Sequence, residues 1–243
     1  ETKQILDSVL DWGTRQVLFV HGTGGVGKTS LLKAVKDGLA REFEQMEPLE
    51  AHKRSYRVLD IDLDDIQMQS PEEISLTMIA KGGIDGTRQG VYFRELRKLH
   101  QLEQINSDMI SEQRQVVEDT FVRLYGEASR DVRTVIFCDT TDAANTRPGQ
   151  DALEYLLRLS RELDNALVVF SGQNAADLYD SFRSFEGTRA PVQSLLLHVD
   201  PLPSEDGEKY LQRKQEQLHI VIDPDTAQKI LLLSRGIPFL IDL

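Results

Sequence analysis

A single cysteine, Cys138, among 243 residues leaves no partner for an internal disulfide. A disulfide framework is excluded, and a reducing, cytoplasmic setting is expected. Long apolar runs are absent: stretches such as Ala166–Phe170 are strand-sized, well short of the ~18 residues that a membrane span needs. The first residues carry no basic-then-apolar leader pattern. Positive charge is in short supply as well, with 28 Lys and Arg against 40 Asp and Glu and a net charge of −12. Bulk charge therefore does not draw the chain onto nucleic acid or an anionic membrane, and direct contact with either is not expected of this segment. A small local anion site remains compatible with that balance. The five histidines are scattered without paired metal spacing. What is present is ordinary globular material, 40% apolar residues with 16 glycines, enough to bury a core.

Short β-branched runs alternate with helical patterns, as in a parallel sheet covered by helices. The runs are Val17–Val20, Tyr56–Leu63, Thr134–Cys138, Ala166–Ser171 and Ser194–Val199. Apolar positions Leu31, Leu32, Val35 and Leu39 predict a helix from about Gly27 to Glu44, and Leu153, Leu156, Leu157 and Leu163 predict another over 150–163. The stretch 64–133 exceeds one crossover helix. It carries Gly82, Gly83, Gly86 and Gly90, read as a mobile loop or a gap in a longer insertion, then Leu96, Leu99, Leu102 and Ile105 at helical spacing. After Val199 the pattern turns helical. Ser204 is the expected N-cap of a helix to Leu218, and a second helix runs from Pro224 to Gly236. The expected division is a core over 1–200 and the start of a helical lid over 201–243. The chain opens on Glu1 rather than Met and stops at Leu243 in mid apolar pattern, so a fragment of a longer protein is expected.

Gly22-Thr23-Gly24-Gly25-Val26-Gly27-Lys28-Thr29 fits G-x-x-x-x-G-K-[ST], directly after a strand and opening a helix that continues through Ser30. The glycines let backbone amides turn inward around an anion, and the helix adds its positive end. Lys28 is placed to meet the β- and γ-phosphates and Thr29 to offer a hydroxyl to Mg²⁺. The chance of an accidental match in a chain this long is roughly one in a hundred. No Asn-Lys-x-Asp stretch occurs, which favours adenine over guanine; the expected cofactors are ATP or ADP with Mg²⁺.

A phosphate loop needs an acid at the tip of a nearby strand to hold the metal. Asp139, closing the run Val135–Cys138, is the candidate, with Asp142 three residues on as general base. Asp60, Asp62, Asp64 and Asp65 read as a solvated strand end, Cys138 as a buried strand residue, and Trp12 as core. His21 borders the loop, where it faces either a nucleotide or a neighbouring strand.

The segment VLFVHGTGGVGKTSLL, Val17–Leu32, resembles the start of STAND-type NTPases, the switch ATPases that include the NACHT and NB-ARC groups and are related to AAA+ proteins. Asp139-Thr-Thr-Asp142 is similar to the NACHT-like second motif, Val199–Leu211 to the approach to the helical lid, and Gly236-Ile-Pro238 to the Gly-x-Pro element beside the adenine pocket. The likeness implies a three-layer α/β/α P-loop NTPase of the ASCE type, with a five-stranded, mainly parallel sheet followed by a lid. It further implies ATP hydrolysis controlling conformation and homo-oligomerisation, sensor and effector domains outside this segment, and a role in defence or stress signalling. Two departures stand out. Thr140 and Ala143 occupy places where the family has Gly and Glu, and the fourth strand ends at Gln173-Asn174 where an Arg sensor is usual. Two other readings follow. One is a AAA+ ATPase of the origin-recognition or clamp-loader type, with Arg183 or Arg189 as its arginine finger. The other is an ADP-locked scaffold with negligible hydrolysis. A small-molecule kinase lacks the expected arginine-rich lid.

Overall fold

The computed structural model describes residues 5, 7, 16–45, 55–82, 84–130, 132–144, 146–184 and 192–242. Trp12, Gly83 and Arg189, singled out above, lie outside the described residues. Five strands form one sheet: β1 (Gln16–His21), β2 (Ser55–Asp62), β3 (Val132–Asp139), β4 (Ala166–Gly172) and β5 (Gln193–His198). Their spatial order is β2-β3-β4-β1-β5, and every neighbouring pair is parallel. The sheet expected to be mainly parallel is thus wholly so, which the helical crossovers between its strands require.

Side-chain alternation splits the core into two layers. Val17 and Phe19 join Ile136, Cys138, Val168 and Phe170 on one face; Leu18 and Val20 join Val135, Phe137, Leu167 and Val169 on the other. Helix α1 (Lys28–Gln45) covers the second face through Leu32, Val35 and Leu39, at the predicted spacing. The first face carries α5 (Arg147–Glu162) and α6 (Ala175–Ser184). Central β4 is buried at every residue, and its run Ala166–Phe170 is apolar throughout.

Between β2 and β3 lie a 3₁₀ turn (Ile66–Met68) and three helices, α2 (Pro71–Ala80), α3 (Gly86–Gln104) and α4 (Ile110–Ala128). The glycine loop expected there shrinks accordingly. Gly86 and Gly90 lie inside α3, whose start is set by Asp85 accepting from the Arg88 amide. The α3–α4 hairpin is held by packing rather than propensity: Tyr92, Leu96 and Leu99 meet Phe121, Val122 and Tyr125. Ile105 falls beyond the last turn of α3 and is exposed.

The chain closes with α7 (Ser204–Leu218), α8 (Pro224–Ser234) and the short α9 (Pro238–Ile241). Ser204 is the first residue of α7 rather than its cap; Pro203 holds the cap position and makes no side-chain bond there. Helix α8 is capped by Asp223, which accepts from the Thr226 amide. Among the described residues no helix is long and apolar enough to cross a membrane.

Phe19 is the tightest knot of the first layer. It lies 5.4 Å from Phe170, 5.7 Å from Tyr179 and 5.6 Å from Phe182, centroid to centroid. Truncating it leaves a ring-sized void among residues fixed on β4 and α6. Phe19→Ala is expected to destabilise the fold by about 3–5 kcal/mol, read as a drop in the urea midpoint.

Candidate functional site

Strand β1 delivers the chain to the phosphate loop at its carboxyl end, the edge where open parallel sheets carry their ligands. The loop turns back through Gly25 at φ +75°, a conformation that L side chains resist. Gly25 is needed for space as well, because a Cβ there would lie 2.7 Å from Cβ of Phe239. Val26 is buried beneath the loop, while Thr23, Gly24 and Ser30 are exposed.

Lys28 opens α1 and folds back over the loop. Its Nζ donates to the carbonyls of Gly22 (2.8 Å) and Thr23 (3.1 Å). Burial lowers its pKa, and the carboxylates of Asp142 and Asp139 partly offset that. One turn position on, Thr29 Oγ1 donates to Asp139 Oδ2 at 2.7 Å, so the expected metal pair is brought together. The other Asp139 oxygen accepts from the Thr140 amide at 3.0 Å.

Asp142 reaches the same place by a tight detour. Thr140 adopts the left-handed conformation at φ 55°, and the 3₁₀ turn Thr141–Ala143 then brings the second carboxylate back over the strand tips. Asp142 Oδ1 accepts from the Gln173 amide at 2.6 Å. Thr141, fully buried, is clasped by Asn174: its hydroxyl donates to Asn174 Oδ1 at 2.6 Å, and Asn174 Nδ2 donates to its carbonyl at 3.2 Å. A Cβ on Gly172 would collide with Thr141 Oγ1 and Asp142 Oδ1, so the end of β4 must be glycine for this turn to close.

The two polar candidates at the end of β4 therefore differ. Asn174 is engaged with Thr141, whereas exposed Gln173 lies over the loop, its Nε2 3.3 Å from the position of a Gly24 Cβ. Arg183 sits in the last turn of α6, bonded to its own helix's Tyr179. His21 faces His198 at 4.9 Å between centroids, and its Nδ1 is buried without a hydrogen-bond partner among the described residues. It therefore meets a neighbouring strand, one of the two alternatives the sequence left open. Cys138 is fully buried, with burial pushing its thiol pKa up, so it is chemically quiet. The acids at the end of β2 and just beyond it are occupied by local work: Asp60 pairs with Lys36 at 2.8 Å, Asp62 accepts from the Asp64 amide, and Asp65 caps the 3₁₀ turn.

Pro238 begins α9, which rests on the phosphate loop. The Phe239 amide donates to the Gly25 carbonyl at 3.3 Å, and the Leu202 amide donates to the Gly236 carbonyl at 2.7 Å. Phe239 and the Thr141–Asn174 clasp were not foreseen. Nothing in the local sequence marks either, since both are contacts between distant segments.

The Lys28 shift has a testable sign. With its folded pKa below 10.5, the unfolded chain binds more protons between the two values, and stability rises with pH across that window. Lys28→Met keeps the stem and removes the cation. It is expected to be more stable than the parent at neutral pH, with the gap closing as pH passes 10.5. Paired urea midpoints from pH 7 upward check this; a gap constant with pH contradicts it.

No family model matches the chain, and no curated protein matches it either. Solved structures do. A Walker-type ATPase of Pyrococcus abyssi is 17% identical with a TM-score of 0.54, over 99% of this chain and 64% of that one. The Aeropyrum pernix ORC1 protein in complex with DNA is 15% identical with a TM-score of 0.58, over 100% of this chain and 56% of that one. Drosophila ORC bound to DNA is 14% identical with a TM-score of 0.50, over 88% and 47%. The chain thus spans roughly half to two thirds of the structures it matches. At such identities the likeness speaks to architecture, and that architecture is the α/β fold of the P-loop ATPases.

Proposed function

We propose that the chain is the ATP- and ADP-binding module of a conformational-switch ATPase. The observation that carries this is the convergence of Lys28, Thr29, Asp139 and Asp142 at one sheet edge, with Thr29 and Asp139 2.7 Å apart. The amides of Gly22–Gly27 and the start of α1, through Ser30, would cradle the phosphates, and Lys28 would leave its two carbonyls for the β- and γ-phosphates. Thr29 and Asp139 suit Mg²⁺, a hard cation that takes few protein oxygens and completes its shell with water and phosphate. When bound, the ion would supply positive charge against that of the phosphates. Asp142, fixed by the Gln173 amide, would accept the proton of the attacking water, and Gln173 would read the γ-phosphate from above Gly24. Residues 1–200 would form the core and 201–243 a lid whose Pro238 borders the base. The contact of α9 with Gly25 supports that division.

Lys28→Ala is expected to weaken ATP and ADP binding at least ~100-fold in calorimetric titration, since it removes the half-buried cation that would meet the phosphates. Unchanged affinity would sink the proposal. Asp142→Asn should leave ADP affinity intact and lower phosphate release by about 10²–10⁴-fold, the usual worth of a general base. Equal release by parent and variant points instead to an ADP-locked scaffold.

For the biological setting, the motifs Asp139–Asp142 and Gly236–Pro238 support a STAND-type signalling ATPase, homo-oligomeric and acting with sensor and effector domains outside this segment, in a cytoplasmic setting. A second reading, an ATPase of the origin-recognition type acting on DNA, draws on the likeness of this chain to 56% of the Aeropyrum pernix ORC1 protein, solved in complex with DNA. The net charge of −12 weighs against DNA contact by this segment. The full-length protein separates the two: salt-dependent DNA binding is expected only of the second.

A further inference from the structure

Helices α2, α3, α4 and α5 line an open cavity of about 730 Å³. That volume is in the range of small-molecule sites. Its wall mixes apolar surface from Pro71, Leu99, Val117 and Pro148 with a hydroxyl pair, Ser75 Oγ and Tyr155 OH, 2.7 Å apart and both buried.

The charges around it do not balance. Arg158 is shared by three carboxylates: Glu118 at 3.3 Å, Glu162 at 2.8 Å, and Asp119. Glu118, largely buried in the wall, is therefore under-compensated, and desolvation pushes its carboxyl pKa up despite Arg158. Nearer the surface, Asp151 and Glu154 line the cavity one helical turn apart, both exposed and without an ion-pair partner among the described residues. Two further arginines line the cavity, and Glu72, the fourth carboxylate of the lining, is bonded to His100 at 2.6 Å. Arg114 is bound to Glu103 at 3.1 Å, and Arg147 is an exposed rim residue. Nor is the cavity an anion cradle. The nearby starts of α2 and α5 are capped by Ser70 and Thr146, and Pro71 and Pro148 lack amide hydrogens.

We propose that this cavity binds a small linear diamine or polyamine. One ammonium group lies between Glu118 and the Ser75–Tyr155 hydroxyls, the methylene stem lies along Leu99 and Val117, and a second ammonium meets Asp151 and Glu154 at the mouth. A compact inorganic cation fills neither the volume nor the apolar wall. The assignment is independent of the phosphate-loop reading.

Spermidine is the probe, titrated calorimetrically into the whole chain at about 0.15 M salt to suppress surface binding. One site is expected, weakened at least ~10-fold by Glu118→Gln and by Glu154→Gln, which delete single charge-assisted contacts. Glu208→Gln on α7, remote from the cavity, should leave affinity unchanged. Glu118→Gln keeps the side-chain size and leaves Arg158 two carboxylates; should it still unfold, exposed Glu154→Gln supplies the answer alone. The proposal is overturned by absence of binding at millimolar spermidine, or by displacement with Mg²⁺ at equal charge. Many equivalent weak sites, or equal affinity in folded Glu154→Gln, would overturn it too.

Discussion

Crowding at the tip of β4 governs the geometry of the phosphate edge. The strand order places β4 between β1, which feeds the phosphate loop, and β3, which carries Asp139. Any acid leaving β3 must therefore cross the end of β4 to act near the loop. Asp142 does so because Gly172 has no side chain in its path and because Thr140 accepts a left-handed turn. A non-glycine residue at φ 55° is a local strain of order 1–3 kcal/mol, and the Asn174–Thr141 clasp with the Gln173–Asp142 bond supplies compensating hydrogen bonds.

Electrostatics at this edge run against the global charge. A chain of net charge −12 prepares a phosphate site through backbone amides, one helix start and a single ammonium group. Lys28 loses hydration there, and Asp139 and Asp142 return part of that loss. The same carboxylates would repel a phosphate approaching without a metal ion, which ties the two halves of the proposed site together: the anion needs Lys28, and the acids need a cation between them and the anion.

How much of this could be read from sequence depended on whether the information was local. The continuous apolar run Val17–Val20, the glycine pattern and the helical spacing of Leu32, Val35 and Leu39 are local properties, and β1, the loop and α1 follow from them. The stretch 64–131 resisted because its helices are stabilised by distant partners. Gly86 and Gly90 argue against a helix on propensity, yet Tyr92, Leu96 and Leu99 gain enough burial against α4 to override them. The site divides in the same way. Lys28, Thr29 and Asp139 follow from motif and strand position. The division of labour between Gln173 and Asn174 depends on which of two adjacent amides meets Thr141, a tertiary fact with no sequence period.

The placement of α9 carries that logic to the last helices. Its Phe239 amide bonds the Gly25 carbonyl, and Phe239 occupies the space that any side chain at position 25 would claim. Gly25 thus serves two masters: it gives the loop its positive φ and lets the last helix sit down on it. At the other end of α9, Asp242 accepts from Tyr210 at 2.8 Å and from Lys214 at 3.2 Å, both on α7. The short helix is therefore pinned to the loop at its start and to α7 at its end. A change in loop conformation that moved the Gly25 carbonyl would be felt by α9 and, through Asp242, by α7. That link between the loop and the last helices is what the proposed nucleotide-driven change of shape would require.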